Sequence, residues 1–394
     1  MFKKRKLEEN IKPYLNHKNA IVITGARQVG KTTLLRNIYK AFPEEQKLWF
    51  DLENPLHQKY FESIDYDEIY KQLIDLGLKA NKKKYIFIDE IQTYPQITKI
   101  IKYLIDHYKV KFFLTGSSSF YMKNLFPESL TGRKFVFNLY PLDFHEFLFF
   151  KGFAKDVYSK SELDLSKKSF VNFKKHSYEF EEFMTFGGFP EVVLAKSHDE
   201  KKLILENIFK SFFEKDILQL ADYQDVREIR DLILLLSRRV GSKLDITRIA
   251  GELGVNRYKV YSYLEFLQAT FLVNLVSMYT KSIDKKVAGG KKVYFIDNGL
   301  LNEIVKIDDG QMFENCIANL LARYGELAYY QTKGTKEIDF ILNKEVAFEV
   351  KVKAMKKDKQ MLDKVSSELN IEKSFIISKE FVEDIDNMVY PQFL

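Results

Sequence analysis

The stretch AIVITGARQVGKTTLL, residues 20–35, runs an apolar strand-like segment into a glycine-bounded loop and then into a helical pattern. Within it, GARQVGKT (25–32) matches G-x-x-x-x-G-K-[ST]. A strand before that motif and a helix after it are the context it requires. Backbone N–H groups of such a loop, together with the helix N-terminus, attract phosphate. Gly25, Ala26, Arg27, Gln28, Val29, Gly30, Lys31, Thr32 and Thr33 are therefore the expected nucleotide contacts. Lys31 is expected to reach the β- and γ-phosphates and Thr32 to ligate Mg²⁺, so ATP and Mg²⁺ are the implied cofactors.

Outward from this stretch, short apolar runs recur: KLWFDL (47–52), KYIFIDE (84–90), VKFFLTGS (110–117) and KFVFNLYPL (134–142). Continuous apolar strands alternating with helices predict a parallel sheet covered on its two faces. The third strand ends in Asp89 and Glu90. A carboxylate is costly to bury unless something compensates it. Beside a phosphate loop, Asp89 is expected to hold Mg²⁺ through water, and Glu90 to activate the attacking water. LTGSSS sets Thr115 and Ser117 where a polar side chain can sense the γ-phosphate. Arg133, in LTGRKF, reads either as an arginine finger to a neighbouring subunit or as a surface arginine.

Composition bounds the class. Of 394 residues, 46% are hydrophobic and 30% charged, and the net charge of +7 permits a polyanionic partner without demanding one. One cysteine, Cys316, excludes an intramolecular disulfide framework. MFKKRKLEEN has no apolar core after its basic residues, and no apolar run approaches the ~18 residues of a membrane span. A cytoplasmic protein with no membrane partner is expected.

The middle turns helical, as in RDLILLLSRRVG (230–241) and VYSYLEFLQATFLVNLV (260–276). DITRIAGELGVNRYKVYSYLEFLQATFLV (245–273) reads as a helix, a turn near Gly254 and a second helix, a helix-turn-helix in a winged-helix setting. Arg257, Tyr258 and Lys259 open the second helix, where a DNA reader places its contacts. A packing or oligomer-contact role is the other reading.

Strands return in KVYFID (292–297), ELAYYQT (326–332), EIDFIL (337–342) and VAFEVKVK (346–353), with the helix MFENCIANLLARY (312–324) before the last three. The last two strands predict a hairpin with Glu349 and Lys351 on one face. Asp339, Glu349 and Lys351 form D-x9-E-x-K, similar to the PD-(D/E)XK nuclease superfamily, with Glu314 as a further acidic candidate. There the carboxylates bind a divalent metal and the lysine stabilises charge near the attacking water. An ordinary ion pair on a strand face is the plainer explanation. Lys351, Lys353, Lys356, Lys357 and Lys359 read as phosphate contacts or as a solvated face.

GARQVGKTTLL, FIDEIQ, LTGSSS, LTGRKF with YPLDFHEFL, and GGFPEVV (187–193) together resemble the bacterial and archaeal AAA-type ATPases that carry a C-terminal domain of unknown function. The resemblance spans nearly the whole chain. It implies an α/β protein with a P-loop AAA-type parallel-sheet domain (1–150), a helical and winged-helix region (151–284) and a nuclease-like α/β domain (285–394). The implied activity is Mg²⁺-dependent ATP hydrolysis coupled to nucleic-acid binding or processing, in a homo-oligomer. The alternative is a nucleotide-dependent switch that binds protein partners, with an inactive nuclease-like scaffold.

Overall fold

The computed structural model describes residues 3–79, 81–116, 130, 132–157, 163, 165–166, 169–217, 223–280, 290–332 and 336–394. Ser117 lies outside them. The chain divides into two compact units: Met1–Tyr140 with Ala269–Phe271, and Pro141–Gln268 with Leu272–Leu394.

The first unit is built on β1 (Ala20–Thr24), β2 (Lys47–Asp51), β3 (Tyr85–Asp89), β4 (Lys111–Gly116) and β5 (Lys134–Asn138). They form one parallel sheet in the order β2-β3-β4-β1-β5. β1, β3 and β4 are buried along their whole length, which is why they read as unbroken apolar runs. Alternate residues serve opposite faces. Ile86, Ile88, Phe112 and Leu114 pack with Ile69 and Leu73 of the helix Tyr66–Asp75 and with Ile100, Ile101 and Leu104 of the helix Ile97–Tyr108. Phe87 and Phe113 stack with ring centroids 4.5 Å apart, and Phe42 lies against each ring. Each such buried phenylalanine contributes about 1.5–3 kcal/mol.

In the second unit, the helix Phe144–Lys151 opens on a capping box between Asp143 and Glu146. The GGFP stretch has a packing explanation. A Cβ on Gly187 would lie 2.1 Å from an Asp297 carboxylate oxygen, and one on Gly188 would lie 2.1 Å from the Leu142 carbonyl oxygen. The Gly188 N–H donates to Asp297 at 2.7 Å, and Asp297 also caps the helix Asn298–Ile304 through the Leu300 N–H at 3.0 Å.

The helices Ile246–Leu253 and Arg257–Ala269 flank Gly254, whose φ of 69° ends the first of them. The second helix was expected to continue to about residue 276. Instead it stops at Ala269, Phe271 takes a φ of 59°, and Val273–Met278 forms β6. The Leu272 N–H closes the helix end on the Leu267 carbonyl at 2.9 Å. β6 then pairs antiparallel with β7 (Lys291–Phe295), where β-branched Val273 and Val276 face Phe295 and Lys292.

β8 (Leu327–Gln331), β9 (Glu337–Leu342), β10 (Val346–Lys351), β11 (Lys373–Ser378) and β12 (Met388–Val389) complete a seven-stranded sheet ordered β12-β11-β10-β9-β8-β6-β7. β9 and β10 pair antiparallel, as the hairpin reading expected. The sequence-based boundary at 284–285 runs between β6 and β7, two neighbours in this sheet, so the expected three-part division differs from the two units found here.

Candidate functional site

The phosphate loop leaves the end of β1 under tight steric control. A Cβ on Gly25 would sit 2.0 Å from the Leu139 carbonyl oxygen. Gly30 holds a φ of 95°, a conformation glycine adopts without penalty, and Gln28 adopts 60°. Gly30 is the N-cap of the helix Lys31–Lys40, so the loop N–H groups and the positive helix end converge. Lys31 is buried, and its Nζ donates to the Gly25 and Ala26 carbonyls at 3.1 and 2.8 Å. The ammonium is thus already folded over the loop.

Asp89 ends β3 only 4% exposed. Burial pushes its carboxyl above the usual range, the Thr115 and Thr32 hydroxyls oppose that, and the Glu90 and Asp51 charges add to it. The Thr115 hydroxyl donates to Asp89 and accepts the Glu90 N–H at 3.1 Å. Glu90 has a left-handed φ of 55°, a strained state for this residue type. Its backbone is fixed by Thr93, whose hydroxyl donates to the Glu90 carbonyl at 2.8 Å, and its carboxylate accepts the Gln92 amide. Thr32 and Thr115 therefore meet at Asp89, and Thr115 also holds the Glu90 backbone. Gln92 and Thr93 were not foreseen, although they stand within three residues of Glu90.

The donor set fits Mg²⁺. A hydroxyl and a desolvated carboxylate are hard oxygen ligands, and Asp89 is under like-charge pressure that a cation would relieve. Among the described residues, no group of three or more His, Cys, Asp or Glu is arranged to hold a metal ion, so such a cation would draw its remaining ligands from phosphate and water.

Arg133 is not at the loop of its own chain. The Ala20 N–H donates to its carbonyl at 2.8 Å, which places it at the strand-start edge of the sheet. The loop lies at the opposite edge, about 13 Å away along β1. Arg133 Nε donates to Asp106 at 2.7 Å.

In the second unit, the pairing of Phe348 with Phe340 extends by one residue to set Glu349 opposite Asp339 on one sheet face. Asp339 accepts the Val350 N–H at 2.8 Å, and Lys351 Nζ donates to Glu349 at 2.7 Å. The second carboxylate oxygen of Glu349 is buried without a hydrogen-bond partner. Burial, and then the Asp339 charge, push Glu349 up to about 8. Glu314 is likewise raised to about 7, by burial and then by the Asp339 charge, so it belongs to the same cluster; the Tyr294 hydroxyl donates to it at 2.7 Å and Lys292 lies 3.8 Å away. Lys292 is buried and pairs with Glu337 at 2.8 Å. Lys292, Tyr294 and Glu337 escaped the sequence reading. Alternation along KKVYF, which puts Lys292 and Tyr294 on one face, was the available signal.

Of the helix-turn-helix candidates, Tyr258 is 85% exposed and Arg257 is exposed, whereas Lys259 pairs with Asp225 and Glu228 at 2.7 and 2.6 Å. The basic run divides in the same way. Lys351 pairs with Glu349, Lys353 with Glu380 and Lys359 with Asp363, leaving Lys356 and Lys357 exposed.

Residues 17–148 match the family described as AAA domain. Residues 177–311 and 309–387 match two families described as domains of unknown function. An uncharacterized protein of Haemophilus influenzae is 30% identical over 351 residues, spanning 84% of this chain and 82% of that protein. This chain belongs to the same family of AAA-domain proteins. Another relative, an uncharacterized protein of Methanocaldococcus jannaschii, is 28% identical over 82% of this chain and 73% of its own length. Among solved structures, a Walker-type ATPase of Pyrococcus abyssi is similar at 13% identity and a TM-score of 0.45, over 77% of this chain and 96% of that one. By the match over residues 17–148, this member of the AAA-domain family carries an AAA-type, ATPase-like domain, and among its described residues no helix is long and apolar enough to cross a membrane.

Proposed function

We propose that this chain is a cytoplasmic, Mg²⁺-dependent AAA-type ATPase that couples ATP hydrolysis to nucleic-acid binding. The observation carrying this reading is the buried Asp89 carboxylate held between the Thr32 and Thr115 hydroxyls beside the phosphate loop. Loop N–H groups and the helix N-terminus bind the phosphates. Lys31 exchanges its loop carbonyls for the β- and γ-phosphate oxygens. A bound Mg²⁺, held by Thr32 and through water by Asp89, would neutralise charge developing on the phosphates. Glu90, oriented by Gln92 and Thr93, takes the proton of the attacking water. Arg133 of a neighbouring subunit supplies the finger in a homo-oligomer, which agrees with its distance from its own loop.

Support for the nucleic-acid arm is the exposed Arg257 and Tyr258 at the start of the second helix, followed by the β6–β7 pair in winged-helix order. A second reading keeps the ATPase but makes the last domain an inactive scaffold within a switch for protein partners. It is favoured by Lys292 and Lys351, whose charges act on Asp339 and oppose the upward push of burial where a metal would otherwise be needed. Steady-state ATP hydrolysis with and without DNA separates the two. Stimulation by DNA supports the first, and a rate indifferent to DNA supports the second. Absence of Mg²⁺-dependent hydrolysis overturns the ATPase reading itself.

A further inference from the structure

Arg5 precedes every recognised motif, yet it is only 5% exposed. One guanidinium nitrogen, Nη1, donates to the carbonyl of Val29 in the phosphate loop at 2.8 Å, and the other, Nη2, donates to the Tyr140 carbonyl at 2.8 Å. Nη1 lies 3.9 Å from where a Cβ on Gly30 would be. Arg5 is anchored in turn by the short helix Lys6–Ile11, in which Ile11 is fully buried and Glu8 accepts the Asn37 amide from the loop helix at 3.0 Å.

The same outgoing segment touches the other end of the loop. The Leu139 N–H donates to the Thr24 carbonyl at 2.7 Å, and the Leu139 carbonyl occupies the space that a side chain on Gly25 would need. Leu139–Tyr140 is therefore fastened to the start of the loop directly and to its crest through Arg5. Tyr140 is also where the chain leaves the first unit.

Resting on the ATP-binding reading above, we propose that Arg5 is a positioning residue of the nucleotide site, clamping the loop crest to Leu139–Tyr140 so that nucleotide occupancy is sensed by that segment. A planar guanidinium spans two carbonyls in fixed directions, whereas a lysine ammonium at the same place is a single flexible point donor. Lysine therefore keeps the charge and loses the bridge.

The test uses the full chain and ATP with Mg²⁺ as the probe. Affinity is read by titration and backbone exchange by hydrogen–deuterium exchange over residues 137–141. In the wild type, ATP should slow exchange in this segment. Arg5→Ala should weaken ATP binding about tenfold or more. Arg5→Lys, with wild-type thermal stability as the folding control, should bind ATP but lose most of the ATP-dependent slowing. A folded Arg5→Lys or Arg5→Ala protein that keeps wild-type affinity and full slowing overturns the clamp, and so does a wild type that binds ATP without any change in this segment. Failure of the wild type to bind ATP is a distinct result, visible in the first titration, and it overturns the functional reading together with the clamp.

Discussion

Thr115 donates its hydroxyl hydrogen to Asp89 across the β3–β4 pair, and the same oxygen accepts the Glu90 N–H. One hydroxyl thus fixes the two acidic residues on which hydrolysis is proposed to depend. Thr115→Val keeps the shape and removes the hydrogen bonds, leaving buried polar groups unpaired at a cost of about 1–3 kcal/mol. Turnover should fall about tenfold with ATP affinity little changed. Because burial already raises the Asp89 carboxyl, losing a bond that opposes the shift should move the acid limb of the pH–rate profile upward. An unchanged acid limb would count against the assignment.

Lys31 and Glu90 should separate binding from chemistry. Lys31→Ala should weaken ATP binding. Glu90→Gln should still bind ATP while turnover drops by about 10²–10⁴-fold, the range for a general base. Equilibrium titration and single-turnover rates report the two effects independently. Undiminished turnover in Glu90→Gln would remove Glu90 from the mechanism.

For Arg133, the Asp106 ion pair supplies an internal control. As half-exposed partners, Arg133 and Asp106 should contribute at most ~1 kcal/mol of stability. If Arg133 acts across subunits, Arg133→Ala should cost on the order of 10³-fold in turnover, with Asp106→Ala nearly silent. Mixing Arg133→Ala with Glu90→Gln protein should then restore part of the rate at hybrid interfaces. Equal, small effects of the two alanine variants would reduce Arg133 to a surface residue.

Glu349 makes a signed prediction about pH. Burial raises its carboxyl to about 8 from an ordinary 4.5, so between these values the folded chain holds a proton that the unfolded chain releases. Its contribution to stability is fully present below about pH 4.5 and is lost as pH rises through about 8. Glu349→Gln should flatten stability across this window, read from denaturant midpoints at several pH values. A wild-type and variant pair with parallel profiles would show that Glu349 is ionised throughout.

The first sheet was legible because its central strands are buried on two faces and leave uninterrupted apolar runs. The loop and its carboxylates were legible because Lys31 and Thr32 close a fixed-spacing glycine motif between a strand and a helix, while Asp89 and Glu90 stand at a strand end. β6 was not, since FLVNLV satisfies a helical and an extended spacing equally well. The left-handed Phe271 and the partner strand β7 decide it, and neither is local information. Gly187 is a similar case. Its lack of a side chain is required by Asp297, 110 positions later, so GGFP could be noticed but not explained. Lys292 and Tyr294 belong to the Glu314 cluster only through the order in which distant strands assemble.

The shared sheet of β6 through β12 also governs how this protein can be dissected. β6 lies between β8 and β7, so a fragment beginning after residue 284 would discard an interior strand and bare the flanks of its two neighbours. Tyr294 and Phe295, fully buried in the intact chain, would lose the strand they pair with. Open apolar strand edges of this kind recruit one another. Such a fragment is expected to aggregate on expression, whereas one cut near Pro141, where the compact units part, keeps every strand of the sheet and should remain in solution.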